Sequence, residues 1–412
     1  MSKIKIAIIS HALVQKVAQR RWKKLAEDKN YEVHIFVPKY WESYWFKEKV
    51  IFKPEEIHND NYHVYPLKAT DVKSWGKYFL KGLCKKLKEI NPDLIYIIHE
   101  ESIWIHHQIY LCNWLNLNKS KIIFFSMNGM GVPYKKAKNP IKKFIHWLMF
   151  QNIKLNTKAV LVHYPGCVKS LREGGYHKPI YMQTQVGVDE ELFAPNEKIR
   201  DEYRKKLGFS DNLVLGYTGR LTPDKGVDNI ANVFIKLSKK YDNLRLLLVG
   251  NGDIKEDLEV LFKKEKVDDK VCITGFVDQA EVPNYMNAMD IFILGSKTTS
   301  HWIDTFPLVT VQAQAVGIPV IASNSASIPW QLGDSALIFE ENNEEDLEKK
   351  LEIFINDKKL RKEYAIKGRE RSLKYFCHNG MNENFKKIVT QVMENKFIFH
   401  EKDEEYTQWK GY

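Results

Sequence analysis

The chain has 412 residues, 44% of them hydrophobic and 12% aromatic, enough apolar material to bury large cores and to form two domains. No run reaches the ~18 apolar residues of a membrane-spanning helix, and the Lys-flanked stretch at 4–9 is too short for a signal-peptide core, so a cytoplasmic protein is expected. The 63 Lys and Arg against 52 Asp and Glu give a net charge of +11, and that excess is local: residues 102–172 hold eleven basic side chains and no acidic one, which marks an anionic partner for one face of the N-terminal half.

In chain order, short apolar β-rich runs fall at 4–9, 33–37, 94–98, 122–125 and 159–162, with helical patterns between several of them. A turn-rich stretch at 186–196 follows, and the pattern then restarts with runs at 213–216, 244–249, 271–274, 291–294 and 319–322. Two successive sets of parallel-type strands predict an α/β chain of two doubly wound, Rossmann-like domains facing a central cleft, with ligand at the C-terminal ends of the strands. The expected boundaries are 1–190 for an N-terminal domain and 191–393 for a C-terminal domain. A helical tail over 394–412 has the N-terminal domain as its expected packing surface. The five cysteines, Cys84, Cys112, Cys167, Cys272 and Cys377, lie far apart without a C-x-x-C pair, so buried thiols are expected rather than a zinc site or a disulfide framework. His106 and His107 read as part of a helix.

Two stretches carry chemistry. In G-R-L-T-P-D-K-G, Gly219 to Gly226, an apolar strand runs into a loop whose glycines let backbone amides approach a phosphate, and Arg220 and Lys225 can neutralise a pyrophosphate. In D-T-F-P-L-V-T-V-Q, Asp304 to Gln312, a helix starting near Pro307 exposes amides around Thr305, Phe306, Pro307, Leu308 and Val309, with Asp304 placed to accept sugar hydroxyls and Gln312 more than a turn inside. A third stretch, 134–158, interleaves lysines with Phe, Ile, Trp, Leu and Met, a mixture suited either to an anionic bilayer surface or to a helix packed on the sheet. Nucleic acid is disfavoured as its partner, since no binding module is recognisable there.

With 246–253 (L-L-L-V-G-N-G-D), 271–277 (V-C-I-T-G-F-V) and Asp290-Ile291-Phe292, these two stretches form five ordered motifs. The chain resembles the retaining glycosyltransferases of glycosyltransferase family 4, which have the GT-B fold; the likeness is strong from Tyr217 to about Phe376 and weak over residues 1–172. The resemblance implies a hexosyltransferase that uses a nucleotide-diphosphate sugar and a glycan or lipid-linked acceptor in cell-envelope or surface polysaccharide synthesis, at the inner face of the plasma membrane. It places Arg220, Lys225 and Asp304 at the catalytic centre and Gly219, Gly250, Gly275, Phe276, Val277, the 305–309 segment and Gln312 around the donor. Relatives have two glutamates where this chain has Asp304 and Gln312. Because a hydrogen bond to a charged group contributes about 1.5–3 kcal/mol and a neutral one about 0.5–1.5 kcal/mol, Gln312 is expected to weaken ribose binding without abolishing it. On the acceptor side the candidates are His11, His99, Glu100, Ser126 and Asn128, where the family's usual glycines after the first strand are replaced by Ser10-His11-Ala12. With no D-x-D anywhere, neither a metal nor another cofactor is expected. The competing expectation is a nucleotide-sugar-binding subunit, weakly active or inactive, that supports another transferase.

Overall fold

The computed structural model describes residues 3–45, 48–73, 78–98, 104–115, 120–127, 139–299 and 303–396. His99, Glu100, Asn128, the segment 134–138 and most of the tail lie outside them. The chain divides into two compact units, residues 1–186 with a return from Met381 onward, and residues 187–380.

The N-terminal unit is built on ten strands: β1 (Ile4–Ile9), β2 (Tyr31–Pro38), β3 (Trp41–Trp45), β4 (Glu48–Phe52), β5 (Ile57–His58), β6 (Tyr62–Leu67), β7 (Leu94–Ile97), β8 (Lys121–Ser126), β9 (Ala159–Val162) and β10 (Ile180–Met182). Eight form one sheet in the order β10-β9-β8-β7-β1-β2-β6-β5, parallel except for β5, while β3 and β4 pair as a separate antiparallel ribbon. β7 and β9 are buried along their whole length, as strands covered on both faces must be. The order reverses between β1 and β7, which is where an open α/β sheet binds ligands.

The second unit repeats the plan with β11 (Leu213–Thr218), β12 (Leu244–Val249), β13 (Val271–Ile273), β14 (Ile291–Leu294), β15 (Val320–Ser323) and β16 (Ala336–Phe339). All are parallel, in the order β13-β12-β11-β14-β15-β16. Numbered from its own first strand this is 3-2-1-4-5-6, the dinucleotide-binding order, and its switch point lies between β11 and β14.

Two expectations need correction. Cys84 and Cys112 form a disulfide with Cα atoms 4.8 Å apart, because the helices Leu83–Ile90 and Trp104–Leu115 that carry them pack together; spacing along the chain does not reveal that approach. The other three cysteines are not disulfide-bonded, Cys167 and Cys377 being buried and Cys272 half-buried. The last helix, His378–Glu394, also leaves the second unit sooner than the expected boundary at 393. From Met381 on, its partners are N-terminal residues: Gln183 donates to the Met381 carbonyl at 3.2 Å, Arg21 to Asn382 at 3.1 Å, Lys386 pairs with Asp28 at 2.8 Å, and Trp22 and Phe385 meet edge to face at 5.3 Å. No described helix is long and apolar enough to cross a membrane.

Candidate donor site

β11 ends at Thr218 and delivers Gly219, Arg220 and, after a single turn at Pro223–Lys225, Gly226. Gly226 has φ of 63°, and a Cβ there would stand 1.9 Å from the Gly295 carbonyl oxygen. The loop after β11 and the loop after β14 therefore touch backbone to backbone at the switch point, and only glycine permits it. Gly250 stands in the same relation to the Gly219 carbonyl, also 1.9 Å from a built Cβ. Gly250 further bridges to Gly275, so the ends of β11, β12 and β13 are gathered side by side.

This closeness joins the two chemical stretches. Lys225 Nζ lies 2.5 Å from Asp304 Oδ2, and Ser296 Oγ donates to the same oxygen at 2.8 Å. The Lys225 and Asp304 side chains are only 14% and 8% exposed, so the pair is an internal one. Arg220 is not part of it: 44% exposed, it reaches Asp224 at 3.5 Å, in a loop held by the Tyr217 hydroxyl donating to the Arg220 carbonyl at 2.7 Å. Burial, with Asp304 and Asp224 nearby, pushes the Tyr217 hydroxyl well above its usual pKa, so it stays a donor. Lys297, next to Ser296, is held by Asp228 at 2.7 and 2.9 Å in the first turn of the helix Val227–Ser238.

The helix of the second stretch runs Leu308–Val316 with Pro307 at its N-cap, as expected, and Gln312 is buried in its second turn. Its first amides have no intrahelical partner, which is the usual anion-binding end of a helix. Thr305 and Phe306 are fixed from behind: the Thr305 carbonyl accepts from Ser327, and the Phe306 ring packs 5.6 Å from Phe376. Gly275 turns with φ of 72° into Phe276, whose ring is 72% exposed, while Val277 packs on the core.

Sequence reasoning missed Ser296, Lys297 and two hydroxyls flanking the basic loop, Thr218 and Thr222, whose oxygens are buried with no hydrogen-bond partner among the described residues. The topology was the signal for the first two: at a switch point both flanking strands contribute loops, and G-S-K directly follows the apolar run of β14.

In the N-terminal unit, Ser10, His11 and Ser126 stand at the C-terminal ends of β1 and β8, and His163 joins them after β9. Ser10 Oγ donates to the Ile98 carbonyl at 3.2 Å and His11 packs 4.9 Å from Trp41. Burial lowers both His11 and His163 to about 4, which leaves them neutral imidazoles at neutral pH. His106 and His107 lie in the helix Trp104–Leu115, hydrogen-bonded to Tyr110 and Asn152, as expected. The basic, apolar stretch forms the helix Pro140–Asn156, capped by Asn139. Met149, Phe150 and Ile153 face the core, whereas Ile141, Phe144, Ile145 and Leu148 form a second apolar stripe at helical spacing that is 41 to 69% exposed.

Comparison with known proteins agrees with this geometry. Residues 199–371 match the family model described as glycosyl transferases group 1. Residues 199–371 are thus similar to a group 1 glycosyl transferase domain. The matched region contains every candidate donor residue. A GDP-mannose-dependent alpha-(1-6)-phosphatidylinositol monomannoside mannosyltransferase of Mycobacterium tuberculosis is 32% identical over 145 residues, which is 35% of this chain and 38% of that protein. The chain thus matches well under half the length of that relative. The O-antigen biosynthesis glycosyltransferase WclY of Escherichia coli is 26% identical over 67% of this chain and 72% of its own length. Among solved structures, a glycosyltransferase from Rickettsia africae superposes with a TM-score of 0.69 at 18% identity, covering 96% of this chain and 100% of that one. The fold is GT-B, with the group 1 domain as its second Rossmann-like unit.

Proposed function

We propose that the protein transfers a hexose from a nucleotide-diphosphate sugar to a glycan or lipid-linked acceptor of the cell envelope, with retention at the anomeric carbon. The observation that carries this reading is the Lys225–Asp304 pair, 2.5 Å apart where the β11 and β14 loops meet at the switch point of the group 1 domain. The exposed charge of Arg220, the ammonium of Lys225 and the amides at Leu308 and Val309 supply the positive potential that a departing diphosphate needs. Phe276 offers a face for the base, and Asp304 offers a carboxylate to a sugar hydroxyl. In this scheme the acceptor hydroxyl attacks C1 on the face the diphosphate leaves, its proton passing to the departing phosphate oxygen. Stabilisation of the leaving group by fixed charges and dipoles then does the catalytic work without a protein base or a metal.

The name of the Mycobacterium tuberculosis relative, which is GDP-mannose-dependent and acts on a phosphatidylinositol monomannoside, supports testing GDP-mannose and a lipid-linked acceptor first. The test is a screen of GDP- and UDP-sugars for thermal stabilisation, followed by transfer with the best binder. One nucleotide sugar is expected to raise Tm and to be turned over. Failure of every one to stabilise the protein would overturn the reading, and stabilisation without turnover would favour the supporting-subunit alternative.

The exposed stripe Ile141, Phe144, Ile145 and Leu148, flanked by Lys142 and Lys143, supports docking of the N-terminal unit on an anionic, cytoplasmic bilayer face. Vesicles containing anionic phospholipid are expected to float the protein and neutral vesicles to leave it behind. Equal flotation, or replacement of Phe144 and Leu148 by Glu without effect, would remove the membrane from the assignment.

A further inference from the structure

Side chains alternate along a strand, so Glu32 and His34 share one face of β2. The parallel register of β2 with β6 sets His63 beside His34, and the two imidazoles stack with centroids 4.6 Å apart and planes 13° from parallel. Glu32 Oε1 lies 2.9 Å from His34 Nε2 and 3.7 Å from His63 Nε2, and one ligand atom from each of the three residues lies within 4.8 Å of the others. Bonds of about 2.0–2.1 Å arranged tetrahedrally put neighbouring ligand atoms about 3.3 Å apart, between the two measured spacings. We propose that Glu32, His34 and His63 bind a divalent transition-metal cation, Zn²⁺ being the best match.

His34 supplies the strongest argument. It is 3% exposed, and its Nε2 lies 2.9 Å from the Glu32 carboxylate oxygen. Its Nδ1 lies 3.3 Å from the Tyr65 hydroxyl. In the tautomer whose Nδ1–H donates to Tyr65, the Nε2 lone pair faces Glu32, the arrangement by which an outer hydrogen bond orients a metal-binding imidazole. In that tautomer two electron-rich atoms stand 2.9 Å apart, a spacing that a cation between them relieves. A metal ion satisfies both atoms at once.

Lys5, which stands opposite Glu32 in the β1–β2 register, adds positive charge beside the cluster. With a single carboxylate the site is thus unsuited to Ca²⁺ or Mg²⁺, which need several hard oxygens, and suited to a cation that imidazole binds well. His58, register partner of His63, has its Nε2 engaged by Glu56 at 3.0 Å, which leaves a fourth position to water. None of the candidate donor residues lies on β2 or β6, so the ion would fasten this edge of the N-terminal sheet rather than act in transfer.

The test uses the full chain without an affinity tag, stripped of metal and titrated with Zn²⁺ against a chromophoric chelator, and with Co²⁺ by visible absorption. Binding of one equivalent of Zn²⁺ is expected, with a rise in Tm and a Co²⁺ spectrum of low coordination number. His63→Ala and Glu32→Gln, at partly exposed positions, are expected to remove the site while the far-UV circular dichroism stays unchanged. Tyr65→Phe, which keeps every ligand, is expected to weaken binding by about 10-fold to 100-fold. The proposal is overturned if the wild-type chain takes up no Zn²⁺ at micromolar concentration, or if His63→Ala and Glu32→Gln bind it as tightly as the wild type.

Discussion

Replacing Lys225 with Met is expected to lower transfer by about 10²–10³-fold in kcat, the usual loss when one fixed positive group facing the developing charge is removed. The structure adds a second consequence. Asp304, its side chain 8% exposed, would keep the Ser296 hydroxyl as the partner of Oδ2 among the described residues, and an uncompensated internal carboxylate is costly. The single variant therefore loses stability as well as rate, and a fall in activity alone would not distinguish a chemical role from a folding one. The double variant Lys225→Met, Asp304→Asn separates them, because it removes both charges of the pair. It is expected to recover most of the lost Tm and none of the lost kcat. Transfer within threefold of wild type in the folded Lys225→Met variant would show that this loop does not carry the leaving-group charge.

The pair also marks the limit of what the sequence discloses. Lys225 and Asp304 were each legible as donor residues, one from a glycine-bracketed loop and the other from the approach to a helix, but as separate contacts to diphosphate and sugar. Their mutual contact spans 79 positions and exists because β11 and β14 are neighbours while β12 and β13 lie on the other side. The same reason hid Glu32, His34 and His63, which only the parallel register of β2 and β6 collects. Strands that read as continuous apolar runs, such as β7, β9 and β14, were found within a residue or two of their ends. β6, Y-H-V-Y-P-L, was not, since three of its residues are polar aromatics or imidazole-bearing and a proline sits near its end. The last helix shows a different failure. Its pattern does not change at Met381, so only the partners of Asn382, Phe385 and Lys386 reveal which unit it serves.

Replacing Asp290 with Ala is expected to cost about 3–5 kcal/mol of stability, measured by urea unfolding, although the residue lies at the end of the sheet remote from the donor loops. Asp290 precedes β14 and accepts from three groups: Arg200 at 2.5 Å, Arg204, and the Val214 amide at 2.8 Å at the start of β11. The two guanidiniums in turn hold the carbonyls of Asn287, Ala288, Met289, Ser210 and Asn212, so this carboxylate is the only anion in a knot of cation and carbonyl contacts among the described residues. Burial already lowers the pKa of Arg204, with Asp290 acting in the opposite direction to keep it charged. Without that carboxylate Arg204, 8% exposed, loses its ion-pair partner among the described residues, and β11 loses the acceptor for its Val214 amide. Arg200→Ala is expected to cost much less, because its side chain is 26% exposed and Arg204 keeps its partner. The Asp-Ile-Phe motif that resembles a donor-domain signature is, on this account, a structural clamp. Its loss should shift the urea midpoint while the folded fraction retains donor affinity, the reverse of the pattern expected for Lys225.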